Sequence, residues 1–187
     1  MNIIDIKSKD SLENAIRVLQ QGGVLVFPTD TVYGIGCALD EKAIKKLYKI
    51  KNRPENQPTA ILMTKKIYSH SSYSENESIL PGGFWEGKTT VIFPATYFKI
   101  GFPEMILKNK TIGIRLPKHA WLEKLINKVG PIAASSANLK SEKTPINFQE
   151  ISQYLIKESN LTIKTLEPLS GKPSAILDIE SNKTIRL

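Results

Sequence analysis

The stretch GGVLVFPTDTVYGIGC, residues 22–37, decides how the chain is read. The unbroken apolar run VLVFP reads as a short buried strand rather than a helix, being brief and rich in β-branched and aromatic residues. Gly22 and Gly23 before it are a stop signal for a helix whose apolar positions Leu12, Ala15, Ile16 and Leu19 recur at helical spacing, with Ser8 or Asp10 as its cap. After the strand come two hydroxyls, Thr29 and Thr31, and then Gly34 and Gly36, which permit close backbone approach to a ligand.

The same alternation continues outward. DEKAIKKLYKI has a cap at Asp40 and apolar Ala43, Ile44, Leu47 and Tyr48 on one face, so it predicts a second amphipathic helix ending before Pro54. AILM, TTVIFP and TIGIRLP predict strands, and the alternation of the last puts Thr111 and Arg115 on one face. AWLEKLINKV predicts a helix leading through Gly130 into PIAA, NFQEISQYLIKE another helix, and SAILDIESNKTIRL a closing hairpin. SHSSYSENES, residues 69–78, is polar and reads as a loop. Interspersed helices and strands imply an α/β fold, a mixed open sheet with helices packed on it, in a single domain over residues 1–187.

Composition narrows the chemistry. No apolar run nears the ~20 residues of a membrane span and the N-terminus lacks a signal-peptide pattern, so a cytoplasmic protein without membrane attachment is expected. Cys37 is the only cysteine, which excludes an internal disulfide or a cysteine metal cluster. Lys plus Arg number 26 against 18 Asp plus Glu, a net charge of +8 that favours anionic partners such as nucleotides or RNA. No dense basic run or RNA-reading aromatic motif accompanies it.

With only His70 and His119, both read as surface residues, a Ser-His-Asp triad has few candidates and a histidine metal site none. Ser136, in GPIAASSANLKSE, lacks a G-x-S-x-G elbow, so a covalent serine is not expected. GGFWEGKT, residues 82–89, formally matches the phosphate-binding pattern G-x-x-x-x-G-K-[ST]. Strand-like TTVIFP follows where a helix should open, and Phe84 and Trp85 crowd the loop, so the match reads as a decoy and Lys88 as one more basic side chain. Lys51 and Arg53, in KIKNRPENQP, either stabilise a helix C-terminus or present a point charge and a planar fork to phosphate oxygens.

Taken together, GGVLVFPTDTVYGIGC, KIKNRP, TIGIRLP, SSAN and KPSAILD resemble, in order and spacing, the YrdC/TsaC family of threonylcarbamoyl-AMP synthases over nearly the whole chain. The resemblance implies a twisted sheet forming a concave, basic cavity. It implies an enzyme that joins L-threonine, bicarbonate and ATP into L-threonylcarbamoyladenylate and pyrophosphate, for threonylcarbamoyl modification of adenosine 37 in tRNA. Lys51 and Arg53 then match the K-x-R pair that grips the nucleotide phosphates, and Ser136 with Asn138 the S-x-N pair opposite. Gln57, Thr111, Thr144 and Arg186 match further ATP-contacting positions. Thr29, Thr31, Arg115, Ala134 and Ser174 match positions that hold threonine, the arginine pairing with its carboxylate. Mg²⁺ would arrive with the triphosphate, and tRNA or tRNA-modifying proteins would be partners.

That chemistry gathers anions in one cavity and needs positioning and charge more than a protein nucleophile. Several positions depart from the family pattern. Gln57 stands at a polar position usually taken by asparagine or lysine, Glu86 and Lys88 replace residues of a W-P-G-P-L-T segment, and Leu62 lies where a histidine often contacts threonine. Lys140 and Ser141 replace the usual Ser-Gly. The rival readings are a noncatalytic module binding double-stranded RNA or tRNA, and a carbamoyl-adenylate transferase domain of the kind found in longer hydrogenase-maturation proteins.

Overall fold

The computed structural model describes residues 2–54, 57–72, 86–181 and 183–186. Fifteen elements follow one another: β1 (Ile3–Asp5), α1 (Ser11–Gln20), β2 (Val24–Pro28), β3 (Tyr33–Ala38), α2 (Glu41–Ile50), β4 (Ala60–Leu62), α3 (Lys65–Ser71), β5 (Thr89–Pro94), β6 (Thr111–Arg115), α4 (Ala120–Val129), β7 (Ile132–Ser136), α5 (Gln153–Glu158), β8 (Leu161–Lys164), β9 (Ala175–Asp178) and β10 (Lys183–Arg186). The strands form one ten-stranded sheet in the order β1-β8-β2-β3-β7-β4-β6-β5-β9-β10. It is mixed, as expected: β1–β8, β2–β8, β4–β6 and β5–β9 are parallel, and the remaining neighbours antiparallel.

Strand alternation sorts the side chains into two cores. Val24, Val26, Tyr33, Ile35, Cys37, Ile61, Phe93, Ile112, Ile114 and Ala133 meet Ile44, Leu47 and Tyr48 of α2 and Leu155 and Ile156 of α5 on one face. Leu25, Phe27, Leu62, Ile132 and Ala134 meet Ala15 and Leu19 of α1 and Leu122, Leu125 and Ile126 of α4 on the other. Trp121 Nε1 donates to Ser11 Oγ at 3.2 Å, tying α4 to α1. The segment between β5 and β6 adds Phe98 and Phe102 edge-on, at 5.6 Å between centroids, to the Phe93 side of the sheet.

Several local expectations are corrected. Asp10 precedes α1 without capping it through its side chain, accepting instead from Asn14 Nδ2, whereas Asp40 caps α2 by accepting from the Ala43 amide at 3.0 Å. Residues 69–71 are helical because Thr64 caps α3; residues 73–78 of that expected loop lie outside the described residues. NFQEISQYLIKE is not one helix. Asn147 and Glu150 close a single 3-10 turn at Phe148–Glu150, extended Ile151 breaks it, and α5 starts at Gln153. Strands β1, β3 and β8 were not anticipated. β3 was hidden by its glycines, one of which, Gly36, is demanded by packing: an added Cβ would sit 2.7 Å from the Ala133 carbonyl of β7.

His119 is half-buried rather than a surface residue. It caps α4, its Nδ1 accepting from the Leu122 amide at 3.3 Å, and burial holds the imidazole below its usual pKa. His70 is exposed, but on α3 and not in a loop. In the decoy segment, residues 82–85 lie outside the described residues, while Lys88 is exposed and strand β5 follows at once. Among the described residues, no helix is long and apolar enough to cross a membrane.

On the α1/α4 side of the sheet, small residues cross four neighbouring strands. Gly36 pairs with Ala134, Ala134 with Ala60, and Ala60 lies 3.9 Å from where a Gly113 Cβ would be. Two residues of this row, Ala60 and Ala134, line the candidate site.

Candidate functional site

A cavity of about 680 Å³ lies over Ala60 and Ala134, within the range of pockets that take small-molecule ligands. Its lining includes six basic side chains, Lys51, Arg53, Lys108, Arg115, Lys140 and Arg186, and among the described residues no carboxylate. The C-terminus of α2 delivers the first two. Lys51 is the C-cap, 8% exposed, and its Nζ donates to the Ser136 carbonyl across the cavity. Burial, with Arg53 nearby, pushes its ammonium down to about 8 against the opposing influence of Glu142.

Arg53 stacks 5.5 Å above the Tyr48 ring and donates from Nη2 to the Pro58 carbonyl. Tyr48 in turn holds that loop, its hydroxyl donating to the Gln57 carbonyl at 2.6 Å and meeting Thr59 Oγ1 at 3.0 Å. The stack and this hydrogen bond hold the guanidinium in place, and its Nε is buried without a partner among the described residues.

The facing wall is the end of β7 and the turn after it. Asn138 Nδ2 donates to the carbonyls of Leu139 and Glu142, while Glu142 Oε2 accepts from the Leu139 amide at 2.7 Å. Ser141 takes a left-handed φ of 74°, so the turn keeps a conformation that suits glycine despite the side chain. Its neighbour Lys140 lines the cavity. Among the described residues, Ser135 Oγ and Asn138 Oδ1, like Arg53 Nε, are buried without a hydrogen-bond partner, and all three residues line this cavity.

At another part of the cavity stands Arg115, 7% exposed. Its Nη2 donates to Asp30 Oδ1 at 2.6 Å and Thr31 Oγ1 at 2.7 Å, and its Nε to the Gly87 carbonyl at 3.0 Å. Thr90 and Ser174 share a hydrogen bond of 2.8 Å, and Arg186 grips the Ser174 carbonyl through Nε and Nη2, which carries the C-terminal strand to the cavity. Thr29 Oγ1 donates to the Val32 carbonyl at 2.7 Å and accepts from the amides of Thr31 and Val32, so it shapes its own turn.

Lys51, Arg53, Gln57, Ser136, Asn138, Thr144, Arg186, Thr29, Arg115, Ala134 and Ser174 thus line one cavity, as do Leu62 and Lys140. Two site residues expected from the sequence are not brought to it. Thr31 is fully buried behind Arg115, and Thr111 spends its hydroxyl on the Lys108 carbonyl at 2.7 Å, with Lys108 itself in the lining. Sequence reasoning missed Ser135, Thr90, Lys108 and Asp30. Ser135 and Asp30 lay inside quoted motifs, and the TTVIFP alternation put Thr90 opposite buried Val91 and Phe93; nothing marked Lys108. Among the described residues, no three His, Cys, Asp or Glu side chains gather as metal ligands.

A family model described as telomere recombination, Sua5_yciO_yrdC, matches residues 17–187. A threonylcarbamoyl-AMP synthase of Vibrio parahaemolyticus is 28% identical over 185 residues, covering 95% of this chain and 98% of that protein. One of Pyrococcus abyssi is 30% identical over 177 residues, covering 88% of this chain but 49% of the relative. The crystal structure of P. abyssi Sua5 complexed with L-threonine superposes with a TM-score of 0.82 at 28% identity, over 95% of this chain and 54% of that one. E. coli YciO superposes with a TM-score of 0.79 at 25% identity, over 99% and 92%. The chain therefore spans about half the length of the P. abyssi relative and nearly all of the Vibrio one.

Proposed function

The chain belongs to the Sua5/YciO/YrdC family, and from that premise we propose that it is an L-threonylcarbamoyladenylate synthase, condensing L-threonine, bicarbonate and ATP with release of pyrophosphate. The product would feed threonylcarbamoyl modification of adenosine 37 in tRNA, in the cytoplasm. One observation carries the reading. Among the described residues, the three buried side-chain atoms without a hydrogen-bond partner, Arg53 Nε, Ser135 Oγ and Asn138 Oδ1, belong to residues lining the cavity that also holds Lys51 and Arg115. Buried polar groups are nearly always paired, so an orphaned N–H donor, a hydroxyl and an amide acceptor around one basic cavity call for a polar ligand that carries anionic oxygens for the cations and donor groups for Asn138 Oδ1.

In this reading Lys51 and Arg53 hold the triphosphate as point charge and planar fork, with Ser136 and Asn138 on the far wall and Gln57, Thr144 and Arg186 around them. Arg115 takes the carboxylate of threonine beside Thr29, Ala134 and Ser174. The amine of threonine captures bicarbonate as a carbamate with loss of water; a carbamate oxygen then attacks the α-phosphorus, and pyrophosphate leaves. Charge accumulates on phosphate oxygens during that displacement, where pre-aimed cations stabilise it most. Mg²⁺ enters with ATP as part of the substrate, since among the described residues the lining offers it no carboxylate.

Pyrophosphate release from ATP is expected only when threonine and bicarbonate are both supplied. Release with either omitted, or tight tRNA binding with no release under any condition, overturns the synthase reading, the latter in favour of an RNA-binding module. The Lys51 ammonium adds a pH signature. Its lowered value makes it charged at neutral pH and neutral once pH rises past about 8, so kcat/KM for ATP should fall through that region. Lys51→Arg, which stays charged, should flatten the fall; an unchanged profile would remove Lys51 from the phosphate grip.

A further inference from the structure

The structure assigns to Asp30 the role of a positioning residue for amino-acid binding, one that holds Arg115 so that a single guanidinium nitrogen is left to meet the substrate carboxylate. The inference rests on the proposed function, since it concerns the amino acid that site would take.

The geometry is asymmetric. Arg115 lines the cavity, whereas Asp30 and Thr31 stand behind it and are absent from the lining. Both Nη2 hydrogens are spent, on Asp30 Oδ1 at 2.6 Å and Thr31 Oγ1 at 2.7 Å, and Nε is spent on the Gly87 carbonyl. Nη1 is the guanidinium nitrogen with no hydrogen bond among the described residues. A free arginine would offer a carboxylate a two-nitrogen fork; here the occupied groups fix the plane and leave one nitrogen for binding.

The two side chains are 9% and 11% exposed, so the ion pair is little screened by solvent and holds the guanidinium strongly in this orientation. The surroundings leave little slack for another arrangement: a Cβ at Gly87 would lie 3.2 Å from Asp30 Oδ2, and Gly87, at φ 88°, donates its own amide to the Leu116 carbonyl at 2.7 Å. Without Asp30 the guanidinium can rotate about its remaining anchors and lose its aim.

Calorimetric titration of threonine and of ATP into the full chain tests this. Asp30→Ala should weaken threonine binding by about tenfold or more, as expected for loss of a charge-assisted anchor, while ATP affinity stays within about twofold of wild type. Asp30→Asn, which can still accept a hydrogen bond, should recover part of the loss. In an Arg115→Lys background the Asp30→Ala effect should shrink, because a residue acting through Arg115 has nothing further to position. Wild-type threonine affinity in Asp30→Ala, an equal loss of threonine and ATP binding, or a full effect in the Arg115→Lys background overturns the assignment. Should Asp30→Ala fail to fold, Asp30→Asn carries the test, and a variant that loses both ligands equally again overturns it. Absence of threonine binding by the wild type overturns the proposed function, and the role of Asp30 with it; binding by the wild type and unchanged binding by the variants overturns the role of Asp30 alone.

Discussion

Arg53→Ala should lower turnover by about 10²–10³-fold, the range seen when one pre-aimed donor to developing transition-state charge is removed. The structural cost should be small by comparison. Arg53 contributes a stacking contact with Tyr48 and a hydrogen bond to the Pro58 carbonyl, worth together about 1–2 kcal/mol of stability. The substitution also removes the buried Nε that lacks a partner among the described residues, which offsets part of that loss. Steady-state pyrophosphate release beside a thermal melt separates the two effects. Arg53→Lys should recover only part of the activity, because a flexible ammonium restores charge without the planar fork. Wild-type turnover in Arg53→Ala would return the residue to a helix-end role.

The second large effect is on the fold. Arg115→Met should destabilise the protein by about 3–5 kcal/mol, since it strands the Asp30 carboxylate in a site where it is 11% exposed. For a chain of this size that corresponds to a melting temperature lower by roughly 6–20 °C, at ~2–4 °C per kcal/mol. Adding Asp30→Asn should return part of the lost stability, because the uncompensated charge is what costs most. Denaturant midpoints of the wild type, both single variants and the double variant complete the cycle. A double variant less stable than Arg115→Met would show that Asp30 supports the fold by some route other than its pairing.

The sequence made the α/β alternation and both amphipathic faces legible because apolar spacing reports burial directly: the cap at Asp40, the buried run Val24–Pro28 and the closing β9–β10 hairpin all appear as read. It concealed β3, because Gly34 and Gly36 suggest a turn until the close approach of β7 is known. The broken helix near Ile151 depends on a capping box whose reach is three residues, below the resolution of a helical period. Motif order brought eleven expected residues to one cavity but not Thr31 or Thr111, since order alone does not say which hydroxyls are engaged by neighbouring groups, here Arg115 and the Lys108 carbonyl. Lys140, a departure from the family pattern, proved to line the cavity, from a turn in which Ser141 keeps a left-handed backbone.

In the proposed reaction this cavity joins bicarbonate carbon to the nitrogen of threonine and, through oxygen, to the α-phosphate of ATP. Incubation of the purified chain with ATP, Mg²⁺, threonine and ¹³C-bicarbonate, followed by mass spectrometry, tests it most directly. The predicted result is threonylcarbamoyladenylate heavier by one mass unit than the product made from ordinary bicarbonate, formed with pyrophosphate. Pyrophosphate accompanied by an adenylate that carries no label, or no adenylate from a folded chain that binds ATP and threonine, would contradict it.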